Sequence, residues 1–570
     1  MVIIKYSELF DDQPLEPKEY LIGISRNLLL TACSHFIALT EYQKMNGNYI
    51  EFICNFFSPK NVVFANTLIK RLDRIQNITQ AKLTLVTIYG CLELFEYCFD
   101  NIPETDIQTE LEAEINLFKV LLLFNERRTE REKVSSESTK DLNGKPRPVE
   151  FFFSHSCPTS DVENFYLYEV FFSQIIKAFM LFEFMGADPS LKPLLNSFLE
   201  HFNCIDSQQY LRRLLLIVLP IMGERKPGNM KLTLNDDEDY KENSDFLDKF
   251  ILPNKEIADV DFRDLRSQPI HKINDHEYLI TFDLFVMEMI FKGLFFRLKT
   301  FNDTLPKNIK KSNFRGYYTF EFSEKHLVYS IMHMLFGTKY KQLSGEEMAE
   351  DGAPDYYIRN GNNIFIFESK DILLDANIKS SYDYRLYEPE LIKKLYEKTK
   401  DGKTSNTAIK QLIGSIKKVF KKELSDKGYK EKNIIIYPII ILHDQFWNIQ
   451  GLNTILNRWF QVELQSLKIA GFHIEGIRPL VSITTDTFLM YQDLFRDRKI
   501  RLEQVLDAFY KDIESHSQKK THSTTEEALS KFQKTIQPFS LFLRNYTNNK
   551  GYKNIQPRML IEKSLLLLPK

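Results

Sequence analysis

Asp355, Glu368 and Lys370 carry the chemistry that can be read from this chain: two carboxylates and an amine, spaced so that folding could bring them around a divalent cation. They stand in Pro354-Asp355 and, beyond Asn360-Gly361, in Asn363-Ile364-Phe365-Ile366-Phe367-Glu368-Ser369-Lys370. The run from Ile364 to Phe367 is short, apolar and rich in β-branched and aromatic residues, the pattern of a strand buried on both faces. Charged residues follow at once. Setting Glu368 and Lys370 at the end of a buried strand costs several kcal/mol unless a partner or a metal compensates them.

The surrounding residues say how the three could meet. Asn-Gly is the strongest short hairpin signal, and Asp355-Tyr356-Tyr357-Ile358 before it has strand character. An antiparallel pair folding back at 360–363 brings Asp355 within about two residues of Glu368 across the ladder. Period-two alternation puts Lys370 on the face of Glu368. Two hard carboxylate oxygens suit Mg2+ (or Mn2+), with the Ser369 carbonyl as a third ligand. Lys370 is then placed to hold a water or to offset charge developing on a phosphate.

The passage resembles the PD-(D/E)XK nuclease superfamily, named for Pro-Asp followed by Glu-x-Lys, here Pro354-Asp355 and Glu368-Ser369-Lys370. The resemblance covers about residues 312 to 490 and implies a restriction-endonuclease-like α/β core, a mixed sheet flanked by helices. It implies that the helix before the hairpin adds an acidic residue, for which Glu324 is the candidate. That helix is expected from Ser323 as N-cap to Gly337 as stop. The core continues with a helix and a strand, matched by Thr407 to Phe420 and Asn433 to Leu442. In some branches the helix lends a glutamine to the site, and Gln411 stands in that place. The activity implied is Mg2+-dependent hydrolysis of phosphodiesters by an endonuclease, with DNA the preferred substrate by family analogy. Large accessory regions on such cores resemble those of bacterial restriction or phage-defence effectors. An RNA-cleaving nuclease and an inactive nuclease-like scaffold or binding protein are the alternatives.

Composition leaves these readings open. With 75 basic and 77 acidic residues in 570, net charge does not mark a nucleic-acid binder. Locally, thirteen lysines crowd the segment from Lys393 to Lys432, either a solvated face or a clamp on a phosphate backbone. The six cysteines all precede residue 205 and read as reduced core residues. Met1-Val2-Ile3-Ile4-Lys5-Tyr6 lacks the pattern of a secretory signal. Apolar runs such as Leu214 to Met222 are too short to span a bilayer. The expectation is a cytoplasmic protein without membrane contact.

Residues 1–300 read as a mainly α-helical accessory or recognition region, offering a surface for a protein partner. Polar breaks at Glu126 to Pro148 and near Glu224 to Asp245 suggest exposed loops and candidate subdomain boundaries. The aromatic stretch from Tyr278 to Phe296 reads as a helix docking this region onto the core. A nuclease domain over 312–515 and a helical tail over 516–570 complete the expected architecture. His443-Asp444 after the apolar strand reads either as an exit to solvent or as a pair supporting the site from behind.

Overall fold

The apolar runs between residues 340 and 490 pair into one sheet in the computed structural model, which describes residues 2–42, 48–98, 105–223, 231–253, 260–348, 350–400, 402–430, 433–517, 524–553 and 555–567. In chain order the strands of this region are β1 (Lys341–Ser344), β2 (Tyr356–Asn360), β3 (Asn363–Lys370), β4 (Glu397–Lys400), β5 (Lys403–Asn406), β6 (Ile435–Leu442) and β7 (Val481–Thr484). Five of them form a mixed sheet in the spatial order β7-β6-β3-β2-β1, while β4 and β5 make a separate two-stranded ribbon. β1, β2 and β3 are antiparallel neighbours; β3, β6 and β7 run parallel.

β3 lies in the middle because its sequence can be buried on both sides. Ile364, Phe365, Ile366 and Phe367 are fully buried, worth roughly 1.5–3 kcal/mol each. Its eight residues pair with β6 from Asn363 beside Ile435 to Lys370 beside Leu442. Helices α3 (Ala408–Lys421) and α4 (Leu452–Ile469) cover the face presenting Ile364 and Ile366, with Leu412, Ile416, Ile455 and Phe460 in one apolar core. The opposite face carries α2 (314–336) and α5 (Thr485–Arg496), where Tyr329 packs on Tyr356 and Phe336 on Phe495.

The chain divides into two compact units, interleaved in sequence. The unit containing the sheet comprises Ser135–Asp161, Glu169–Leu195 and Leu298–Lys570. The other, Met1–Val134, Val162–Tyr168 and Asn196–Arg297, is mainly helical. It also holds a three-stranded antiparallel sheet of Lys231–Thr233, Glu277–Ile280 and Ile270–Lys272. The stretch from Tyr278 therefore begins as a strand, and its helices are Asp283–Glu288 and Lys292–Thr304.

Other expectations change as well. The break expected from Glu126 is helix as far as Ser138, because its charges pair along and beside the helix: Arg128 binds Glu132 at 2.9 Å and Lys133 binds Glu130 at 2.6 Å. Ser323 is not an N-cap. The helix already begins at Phe314, carried by Phe314, Tyr318 and Phe322, and widens to i→i+5 turns over Tyr318–Val328 before Gly337, with φ +50°, stops it. The hairpin turn is Gly361-Asn362, one residue later than Asn360-Gly361; Asn360 pairs with Asn363 and Gly361 supplies the positive φ of +63°. Cys54 is exposed while the other five cysteines are buried. Residues 224–230, Asp401, Lys432 and 518–523 lie outside the described residues.

Candidate active site

β2 begins at Tyr356, which pairs with Phe367, so Asp355, one residue earlier, lies opposite Glu368 just past the ladder. Alternation puts Asp355 with Tyr357, and Glu368 and Lys370 with Ile364 and Ile366, on the face covered by α3. Asp355 is held in place by the backbone: the Ser369 N–H donates to its Oδ2 at 2.7 Å. Lys370 Nζ reaches the same Oδ2 at 3.5 Å and Glu368 Oε2 at 3.0 Å. One ammonium thus touches both carboxylates, and the three residues singled out in the sequence come together.

Their charges are not balanced. Glu368 is 1% exposed, and burial together with the Asp355 carboxylate pushes its pKa well above the ordinary range despite Lys370. Burial alone would lower the Lys370 pKa, but Glu368 and Asp355 raise it above that of a free lysine. Glu324 approaches from α2, on the other side of the sheet, and is half-buried. Burial and the charge of Asp355 raise its pKa to about 7, while Lys370 pulls it down. The acidic group expected from the preceding helix therefore lies within the field of Asp355 and Lys370.

Gln411 occupies the first turn of α3. In a strand-helix-strand crossover such as β3-α3-β6, the helix runs against the parallel strands, so its N-terminus lies at the end of the sheet where Lys370 stands. The opposite end confirms this polarity: Asp426, just beyond α3, binds Arg359 beside the Gly361 turn. Gln411 is thus at the correct end of the sheet, half-buried, and its side chain is not drawn into the Asp355–Lys370 cluster.

A supporting set of residues lies behind the strand. Ser369 Oγ bonds His443 Nε2 at 2.7 Å, and the His443 carbonyl accepts from Lys177 at 3.0 Å and Thr485 at 3.3 Å. Lys177 is also paired with Asp486 at 2.9 Å. Burial lowers the His443 pKa to about 4, so its ring is neutral at physiological pH. His443 therefore does not mark an exit to solvent. Asp371, next to Lys370, accepts from Ser323 at 2.7 Å and Arg315 at 2.9 Å. The sequence signals were a lone lysine inside the apolar helix α1 (Leu167–Ala187) and an acidic residue directly after Lys370. That helix is long and apolar enough to cross a membrane, but 78% of its most apolar window is buried within the molecule, as a core helix should be.

Asp355, Glu368 and the Ser369 carbonyl are the groups here that could hold a small hard cation. Among the described residues no group of three or more His, Cys, Asp or Glu side chains forms a metal cage. Mg2+ needs less, since it keeps several waters and uses one or two carboxylates. The Ser369 carbonyl points to the same side of β3 as the N–H that binds Asp355, because both groups of a strand residue face one neighbour. Two converging carboxylates, one buried and costly to ionise, therefore fit such an ion.

Fold and site define an α/β domain with a mixed five-stranded sheet and an Asp-Glu-Lys cluster at the end of its central strand. Compared with models of protein families, with curated proteins and with solved structures, the chain matches none.

Proposed function

We propose that the chain is a divalent-metal-dependent nuclease that hydrolyses phosphodiester bonds, DNA before RNA, and acts in the cytoplasm. The observation that carries this reading is the convergence of Asp355, Glu368 and Lys370 where β2 begins and β3 ends. Asp355, Glu368 and the Ser369 carbonyl would hold Mg2+ or Mn2+. When bound, the ion supplies positive charge at the phosphoryl oxygens and lowers the pKa of water. Lys370 is close enough to both carboxylates to orient a water or to meet charge developing on the phosphate. Glu324, with a pKa of about 7, can hold or release a proton near neutral pH. Gln411 would position substrate from the first turn of α3. The burial of helix Leu167–Ala187 supports a protein without a membrane span.

One observation favours a second reading, a nuclease-like binding protein. Lys370 already bridges both carboxylates, as an internal counter-ion would in a site that never takes up metal. Incubation of purified protein with circular DNA, linear DNA and RNA, with and without Mg2+ or Mn2+, separates the two. The nuclease reading expects cleavage that needs the ion and is lost in Glu368→Gln. Intact substrates under every condition would favour the binding protein.

A further inference from the structure

The lysine-rich segment does not form one surface. Lys417, Lys421, Lys422, Lys427 and Lys430 are exposed at or beyond the last turns of α3. The Lys430 N–H bonds Asn362 in the β2–β3 turn, so this group sits at the far end of β3. Eight strand residues put it roughly 25 Å from Lys370. Lys393, Lys394, Lys398, Lys400, Lys403 and Lys410 instead lie in β4 and β5 or in the segments flanking them. This ribbon leads through Thr407 directly into the first turn of α3, and its stem is tied there by Lys410 to Glu397. It therefore emerges at the Glu368 end of the sheet.

The ribbon is unusual in composition as well as in place. Its sequence, Glu397-Lys398-Thr399-Lys400-Asp401-Gly402-Lys403-Thr404-Ser405-Asn406, contains no apolar residue. Lys398, Thr399, Lys403, Thr404, Ser405 and Asn406 are all exposed. A two-stranded hairpin without an apolar face is marginal by itself. This one is held by its ladder, by Thr399 against Thr404 at 3.2 Å and by Ser405 to the Lys398 carbonyl at 3.1 Å. Cross-strand pairing puts Lys398 and Lys403 on one face and Thr399 and Thr404 on the other. Exposed ammonium and hydroxyl groups thus lie on both faces of the ribbon.

We infer that the β4–β5 ribbon is a double-stranded DNA arm that enters the major groove beside the Asp355–Glu368 pair. The inference rests on the nuclease reading for its place but concerns substrate recognition. Strands of this length extend about 13 Å, and the major groove of B-form DNA, about 12 Å wide, admits a two-stranded ribbon. The major groove of A-form RNA is too deep and narrow for side chains to read. The geometry therefore selects DNA duplex over RNA duplex.

The test uses full-length Glu368→Gln protein, so that binding is read without cleavage. Its affinity is measured for a short DNA duplex and for the RNA duplex of the same sequence across a salt titration. The protein should bind DNA more tightly. Combined Lys398→Ala and Lys403→Ala should reduce the slope of log affinity against log salt by about 2, roughly 0.9 per lost phosphate contact, and erase the preference. Combined Lys417→Ala, Lys421→Ala and Lys427→Ala should leave both unchanged. Equal affinity for the two duplexes, no binding at all, an unchanged ribbon variant, or an equal loss in the far-end variant would overturn the inference. Ribbon-dependent binding without ion-dependent cleavage by wild type would instead overturn the nuclease reading and leave the arm standing.

Discussion

The two ends of the central sheet each carry a charged cluster, and they are built on opposite principles. At the turn end, Asp426 accepts from Arg359 Nε at 2.5 Å and Nη2 at 3.1 Å, from the Tyr357 hydroxyl at 3.0 Å and from the Gly428 N–H at 3.1 Å. Burial alone would raise the Asp426 pKa, but Arg359 and these donors hold it below the ordinary range. One acid meets one base and every lone pair has a donor. At the other end two carboxylates share one lysine, and Glu368 and Glu324 are both raised. A cluster that serves folding is closed; one left with surplus negative charge is suited to receiving something positive.

Mutations that exchange these roles should separate activity from stability. The largest effect expected is on turnover: Lys370→Ala should reduce cleavage by about 10²–10³-fold while DNA affinity stays close to wild type, checked by a cleavage assay beside a binding assay. Asp426→Asn should do the reverse. It should cost roughly 2–4 kcal/mol of stability in denaturant titrations, with specific activity of the folded protein unchanged.

pH should drive the two ends apart. Glu324 has a folded pKa of about 7 against an ordinary 4.5, so ionising it penalises the folded state. The penalty is absent below pH 4.5, grows as pH rises and is complete above about 7. Metal-free Glu324→Gln should therefore match wild type near pH 4.5 and exceed it by about 1–3 kcal/mol above pH 7. Asp426 has the opposite sign: its lowered pKa gives stability that is present above the ordinary carboxylate range and lost as pH falls through the folded value. Flat melting profiles for Glu324→Gln relative to wild type would remove Glu324 from the cluster. The smallest effect expected is from Ser369→Ala, which removes the bond to His443 and should cost about 0.5–1.5 kcal/mol, measured by the same titrations.

Local signals made the reactive end of the sheet legible. An apolar run ended by charges fixed β3, an Asn-Gly pair brought Asp355 opposite Glu368 to within one register step, and the helical stripe of α3 ran from Thr407 as expected. Long-range partners left no local pattern. Ser323 looks like a cap in sequence because a serine before a helical stripe usually is one, yet its hydroxyl bonds Asp371, 48 residues away. Lys177 reaches His443 across 266 residues. The charge-rich stretch after Glu126 looked like a loop because its compensating pairs, including Glu163, lie one turn away or elsewhere in the chain. The β4–β5 ribbon, short and without apolar alternation, gave no strand signal at all.

The central claim is that Asp355 and Glu368 form a site short of one cation. Thermal melts of wild type and Glu368→Gln, each with and without Mn2+, test it most directly. The account predicts that Glu368→Gln melts at or above wild type in metal-free buffer, since the carboxylate repulsion is gone. Mn2+ should raise the midpoint of wild type by mass action and leave the variant unmoved. A variant that melts lower without metal, or a wild type whose midpoint ignores Mn2+, would contradict it and make the cluster a structural ion pair like the one at Asp426.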